Sequence, residues 1–372
     1  MRIAFYAPLK APSHPVPSGD RFIARALIAA LERGGHQVTV VSSFRSRESA
    51  GDPVRQGRIE RVGGRLAARL LRRYRRMPME ERPEVWFTYH LYHKAPDFLG
   101  PALCDALQLP YFVAEASHAP KQAHGLWAGW HARCADDIRR AAGVIVINSD
   151  DRPCLQALLG SGDRLHSLPL FLDEPGFASA RREREASALR FGLDNAKPWV
   201  LSVGMMRPGR KVDCYRLLAQ SFRSLPEGCA EWVIVGDGEA RGEVNEIVRD
   251  LPYAHSLGRL PRNTLAELYA ACDLFAWPAI GEPLGLVFVE AQAAGLPVVA
   301  GRTRGVPDLV RDGTTGMLVE IGSAEPFARA IASLLDDERR RLEMGRAARR
   351  YVAQQHSMEA AVARLTEIVG GR

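Results

Sequence analysis

Cysteine is sparse and scattered. Cys104, Cys134, Cys154, Cys214, Cys229 and Cys272 include no Cys-x-x-Cys pair. That argues against a zinc finger or a disulfide-stapled scaffold and fits buried free thiols in a reducing cytoplasm. Long apolar runs are missing: none approaches the ~20 residues that span a bilayer. The opening Met1–Pro8 stretch is too short for a signal-peptide core and reads as a first strand. No Asp-x-Asp pair and no cluster of metal-ligating residues occurs, so no metal is expected. No Gly-x-Gly-x-x-Gly follows the first strand, which disfavours a dinucleotide dehydrogenase. No internal repeat is visible.

The chain does have the material for two domains: 372 residues, 47% hydrophobic. Its net charge of +7 is local, because 12 arginines against 5 acids between Arg45 and Arg82 account for all of it. Within residues 61–77, Val62, Leu66, Leu70 and Tyr74 recur every four residues, and Arg61, Arg65, Arg69, Arg72, Arg73 and Arg76 take another face. A basic amphipathic helix of this kind suits an anionic membrane surface. It equally suits a surface helix laid on a sheet with its basic face in water. Aromatic interleaving is absent, so nucleic acid is not expected as a partner.

The most informative stretch runs from Cys272 to Gly301. A strand to Trp277 is stopped by Pro278. A loop to Gly285 carries Glu282 and Pro283, and a helix follows from Leu286 to Ala294, with Gly295 as its C-terminal cap and Pro297 beyond. Glu290 is the only charged residue from Leu284 to Ala300, in a helix apolar on every side. A buried carboxylate needs donors, none is local, and a hydroxylated ligand would supply them. The free amides of Gly285, Leu286 and Val287 suit a phosphate. The layout fits a nucleotide sugar: sugar at Glu282, diphosphate at the helix start, ribose at Glu290.

Elsewhere the pattern alternates strand and helix, the sign of an α/β fold. Ligands of such sheets bind at the carboxyl ends of the strands. There the chain places Gly19 beside Ser18 and Asp20 at a helix start, His90 and His93 after one strand, and Glu115 and His118 after the next. His90 and Glu115 are candidates for the acceptor side. In the second half, Arg207 and Lys211 follow the strand Trp199–Gly204 and suit a diphosphate, with Arg210 between them.

Glu-x7-Glu from Glu282 to Glu290, followed by Ala-x-Ala-Ala-Gly-Leu-Pro-Val-Val-Ala, resembles the signature of the retaining family 4 glycosyltransferases. The resemblance implies two Rossmann-like domains facing a central cleft, the GT-B fold. The expected divisions are an acceptor-binding domain over 1–172, a nucleotide-sugar domain over 173–352, and a last helix over 353–372 returning to the first domain. It implies transfer of a sugar, with retention and without a metal, from a nucleoside diphosphate sugar to a glycan or lipid-linked acceptor in cell-surface polysaccharide or glycolipid synthesis. The location expected is cytoplasmic, peripheral on the inner membrane face. Glu282, Arg207, Lys211 and His118 would be catalytic; Gly19, Gly204, Gly258, Gly285, Leu286, Val287 and Glu290 would hold the donor. No cofactor beyond the donor is implied. The rival readings are a nucleotide-sugar epimerase of the same fold and a non-catalytic nucleotide- or glycan-binding module.

Overall fold

The structure is a computed structural model, and it describes residues 1–16, 18–173, 176–179, 183–282 and 285–371. Pro283 and Leu284 of the expected glutamate loop, and residues 180–182 of the charged stretch from Ala178 to Arg190, lie outside them. Two compact units form: Met1–Pro169 with Met358–Arg372, and Leu170–Ser357.

The first unit holds six strands: β1 (Arg2–Tyr6), β2 (Gln37–Val40), β3 (Val85–Leu91), β4 (Tyr111–Ala116), β5 (Gly143–Val146) and β6 (Leu165–Ser167). They lie parallel in the order β2-β1-β3-β4-β5-β6. β1 and β3 are nearly continuous apolar runs because helices cover both faces of such a sheet, and Phe5, Tyr6, Trp86 and Phe87 are fully buried. The helices that matter below are α1 (Gly19–Arg33), α2 (Pro53–Arg76), α3 (Gly100–Leu107) and α4 (Ala128–Arg140). α1 starts where Ser18 accepts a hydrogen bond from the Arg21 amide. It buries Ile23, Ala26, Leu27, Ala30 and Leu31, and the final helix, Met358–Gly370, packs against it.

The second unit has β7 (Trp199–Val203), β8 (Glu231–Val235), β9 (Ala254–Ser256), β10 (Leu274–Trp277), β11 (Val298–Gly301) and β12 (Gly316–Val319). They are parallel in the order β12-β11-β10-β7-β8-β9. Around this sheet stand α5 (Arg210–Arg223), α6 (Arg262–Ala271) and α7 (Leu286–Ala293). Inside the core, Ser202 Oγ accepts from the Trp232 indole at 2.9 Å and donates to the Ala276 carbonyl at 2.8 Å. The chain direction across each sheet reverses once, between β1 and β3 in the first and between β7 and β10 in the second. At such a reversal the loops leaving adjacent strands diverge to opposite faces and leave a ligand crevice.

Two expectations are corrected. The breaks expected after residues 172 and 352 fall after Pro169 and Ser357. Leu170 and Leu172 are tied to His356, by its ring Nδ1 at 2.6 Å and by its carbonyl at 3.0 Å, and the preceding helix, Glu338–Gln355, runs on past 352. The arginine helix begins at Pro53, capped by Asp52, well before residue 61. Its buried face is Gly63, Ala67 and Tyr74, with Leu66 and Leu70 half-buried and Val62 exposed. Small residues let the backbone approach: a Cβ on Gly63 would lie 2.5 Å from Phe98. No helix among the described residues is long and apolar enough to cross a membrane.

Candidate active site

β7 and β10 are neighbours at the reversal of the second sheet, so the loops after them end on one rim. α5 follows β7 and carries Lys211 in its first turn; the loop after β10 carries Glu282. Their side chains meet, Lys211 Nζ to Glu282 Oε2 at 2.8 Å. The Trp277 indole donates to the same oxygen at 3.0 Å, and Lys211 Nζ stands 5.2 Å from the ring centroid. The side chains of Lys211 and Glu282 are 24% and 19% exposed, so a ligand can reach both.

Trp277 is held in turn. Tyr215 of α5 packs on it edge-on at 5.0 Å and donates its hydroxyl to the Gly204 carbonyl at 2.9 Å. Gly204 is glycine for a steric reason: a Cβ there would come within 2.9 Å of the Trp277 ring. Arg207 projects into solvent and makes no ion pair among the described residues. Arg210 instead lies against the glutamate loop, its guanidinium 3.5 Å from the Gly281 carbonyl. Gly258, after β9, has φ of +68°, a conformation glycine adopts without strain, and its carbonyl accepts from the Gly236 amide at 2.9 Å.

Gly285 is the N-cap of α7, with no side chain capping the helix. The amides of Leu286 and Val287, as at any helix start, have no acceptor within the helix. Glu290, one turn into α7, is buried as its sequence requires. No donor to it is local in sequence, as expected, but the fold brings two from a distant helix, so a ligand is not needed to supply them. The Tyr269 hydroxyl donates to Oε2 at 3.2 Å, and Arg262 Nη2 lies 3.4 Å from Oε1, both from α6. Burial, then the Glu290 charge, pushes the Tyr269 phenol well above its ordinary range, which keeps it a donor.

The first unit gathers its own group. His90 near the end of β3 and Glu115 near the end of β4 both have left-handed backbones, φ 64° and 56°. Strain at non-glycine residues of adjacent strands persists only where surrounding contacts impose it, and it clusters at functional sites. His90 Nδ1 is 3.2 Å from Asp20 Oδ1, in the first turn of α1, and 3.9 Å from Glu115 Oε2. Burial disfavours charge on His90, but the Glu115 charge and the Asp20 bond outweigh it and raise its pKa. Burial likewise opposes ionisation of Asp20, and His90 holds its carboxyl below the usual range. Burial pushes Glu115 up against the pull of His90. Gly19 opens α1 with free space beside its Cα.

His118, after β4, stacks on His131 of α4 with centroids 4.6 Å apart. Burial, then the His131 charge, lowers its pKa, so it stands as a neutral donor or acceptor. His93 packs on Trp127 at 5.6 Å, and burial lowers its pKa to about 4. Asp20 and Arg210 were visible in the sequence as neighbours of expected site residues, and Trp277 as the indole ending the strand before Glu282. Tyr215, Arg262, Tyr269 and His131 gave no local signal.

Residues 197–337 match the family described as glycosyl transferases group 1. The chain is 30% identical over 275 residues to the GDP-mannose-dependent alpha-(1-6)-phosphatidylinositol monomannoside mannosyltransferase of Mycobacterium tuberculosis, over 70% of this chain and 71% of that one. Among solved structures it is similar to Anabaena Alr3699/HepE in complex with UDP, at 17% identity and a TM-score of 0.74 over 100% of both chains. It is also similar to WaaG, a glycosyltransferase involved in lipopolysaccharide biosynthesis, at 17% identity and a TM-score of 0.64 over 99% and 100% of the two chains. The chain belongs to the group 1 glycosyltransferases. Its two parallel six-stranded sheets are those of the GT-B fold.

Proposed function

We propose that the protein moves a sugar from a nucleoside diphosphate sugar to a lipid-linked or glycan acceptor in cell-surface glycolipid or polysaccharide synthesis, with retention of configuration and without a metal. The observation that carries the reading is the Lys211–Glu282 pair at the strand reversal of the second sheet, braced by Trp277. A cation and a carboxylate side by side match a donor that presents a diphosphate next to sugar hydroxyls. The GDP-mannose and phosphatidylinositol monomannoside in the name of the mycobacterial relative support both halves.

In this reading Lys211, Arg207 and the Gly285–Val287 amides stabilise the departing diphosphate, where negative charge develops. Glu282 accepts hydrogen bonds from the sugar hydroxyls and Glu290 from the ribose. Gly204 and Gly258 allow close backbone approach of the donor. His118 orients the transferred sugar, and Gly19, His90 and Glu115 serve the first unit's ligand. The acceptor hydroxyl forms its bond to the anomeric carbon on the face the diphosphate leaves, and a phosphate oxygen takes its proton. The protein works in the cytoplasm, on the inner face of the membrane, with α2 toward anionic lipid.

A thermal-shift screen of nucleotide sugars identifies the donor; turnover with a lipid extract in EDTA, with product configuration read by NMR, tests the rest. Undiminished turnover in EDTA with a product of the donor's anomeric configuration is expected. Loss on chelation with recovery in Mn²⁺ refutes metal independence. Inverted product refutes retention, and donor binding with no transfer to any acceptor refutes the enzymatic reading.

A further inference from the structure

α2 leaves a groove on the first unit that the sugar chemistry does not use. A cavity of about 530 Å³ runs between α2, α3 and α4. Its floor is apolar and buried, Ala67, Phe98 and Leu103. Its walls are small and exposed, Gly64 and Ala68 of α2, Ala102 of α3 and Gly129 of α4. A Cβ added at Gly64 or Gly129 meets nothing within 4 Å, so the groove is open where those residues stand. The two charged residues at the groove are already engaged. Glu60 accepts from the Trp130 indole at 2.6 Å, and Arg133 lies over the Phe98 ring at 4.7 Å with its Nε 3.8 Å from Asp137.

The groove follows α2 from Glu60 to Leu71. Eleven residues of helix rise about 16 Å, close to the depth of one leaflet, half of a hydrocarbon core about 30 Å thick. At roughly 100° per residue, Arg61, Arg65, Arg72 and Arg75 flank the groove on its solvent side. All four are exposed, and Arg65, Arg72 and Arg75 make no ion pair among the described residues. An apolar slot bordered by unpaired cations matches one molecule class on both counts: a lipid with an anionic headgroup and a hydrocarbon chain.

We propose that the groove between α2, α3 and α4 takes one acyl chain of an anionic lipid, whose headgroup phosphate lies on Arg72 and Arg75. The inference rests on the reading of α2 as a membrane-facing helix and adds a chain-binding slot to it. It makes the chain, as well as the charge, a determinant of binding.

The test uses the full-length protein, monomeric dioctanoyl phosphatidylglycerol, its free headgroup glycerophosphoglycerol, and vesicles of long-chain phosphatidylglycerol. Gly64→Leu with Ala68→Leu fills the groove from exposed positions and leaves the core untouched, and an unchanged unfolding midpoint verifies this. Calorimetry is expected to show wild type binding the short-chain lipid at least tenfold more tightly than the headgroup, and the filled variant losing that difference. A chain brominated at mid-length quenches Trp130 fluorescence in wild type but not in the filled variant, with Trp130→Phe as reference. Equal lipid affinity in wild type and filled variant overturns the inference. Vesicle binding that survives filling but is lost in Arg72→Ser with Arg75→Ser also overturns it, while leaving the membrane reading intact. Vesicle binding unaffected by either change sinks both. A concentration-dependent dimer that the filled variant abolishes, with no lipid bound, puts a second copy of the chain in the groove and overturns the inference.

Discussion

Lys211 Nζ and Glu282 Oε2 lie 2.8 Å apart, and the Trp277 indole donates to the same oxygen. The pair satisfies two charged groups on a half-buried rim and holds both side chains in place. In the proposed reaction a donor diphosphate would meet a lysine already positioned, and its sugar hydroxyls a carboxylate already oriented. Preorganisation of this kind is where electrostatic catalysis gains most.

Lys211→Ala is expected to lower kcat by about 10²-fold to 10³-fold, the loss typical of one transition-state donor. Glu282→Ala is expected to fall in the same range. Because the residues touch, the double variant should lose less than the product of the single losses, with a coupling of about 0.5–3 kcal/mol. Steady-state kinetics on the four proteins gives the coupling directly, and strict additivity would refute the paired role.

Glu290→Ala is expected to weaken nucleotide binding by at least about 2 kcal/mol, since hydrogen bonds to a charged group contribute about 1.5–3 kcal/mol. Arg262→Ala removes a partner of a buried carboxylate and is expected to lower the unfolding midpoint more than the nucleotide affinity. Calorimetry and thermal unfolding on both variants separate the roles. Nucleotide affinity unchanged in Glu290→Ala removes Glu290 from the donor site.

His93 makes stability depend on pH in a stated direction. Its folded-state pKa is about 4 against an ordinary 6.5, and its Nε2 is buried with no hydrogen-bond partner among the described residues. Below about 6.5 the unfolded chain takes up a proton that the folded protein refuses, so this contribution is complete above that pH and lost as pH falls toward 4. His93→Phe keeps a ring against Trp127 and removes the titration. Urea midpoints at pH 7 and pH 4.5 are expected to differ less in the variant than in wild type. An equal shift in both proteins excludes His93 as the source.

Replacing Arg72, Arg73, Arg75 and Arg76 with Ser is expected to weaken co-sedimentation with anionic vesicles, by about 1 kcal/mol per arginine near the surface. Raised salt is expected to mimic the change, because exposed charges are screened over about 10 Å at 0.1 M. Co-sedimentation insensitive to both would take the membrane out of the account of α2.

Much of the segment from Trp277 to Gly295 was legible in sequence because its information is local. An apolar helix with one acid, a capping glycine before it and a loop glutamate eight residues upstream of that acid fix a strand, a turn and a helix by themselves. The partners of Glu290 were not legible. Tyr269 and Arg262 sit on α6, and nothing in their spacing points to α7. The left-handed backbones of His90 and Glu115 were equally invisible. No residue-level preference calls for them, and only contacts made after the sheet assembles can hold them.

The sequence determined the alternation of strands and helices, the two glutamates and lysine that mark the family, and the excess of arginine on α2. These follow from periodicity, capping and composition, which act over a few residues. Tertiary structure decided which side chains meet: Lys211 with Glu282, Glu290 with Tyr269 and Arg262, His90 with Asp20 and Glu115. It also decided which face of α2 is buried. The repeat of Val62, Leu66, Leu70 and Tyr74 marks an apolar stripe, but close approach to Phe98 turns the helix onto Gly63 and Ala67. Packing density rewards the small residues that let backbones meet, and that preference exists only once there is a surface to meet.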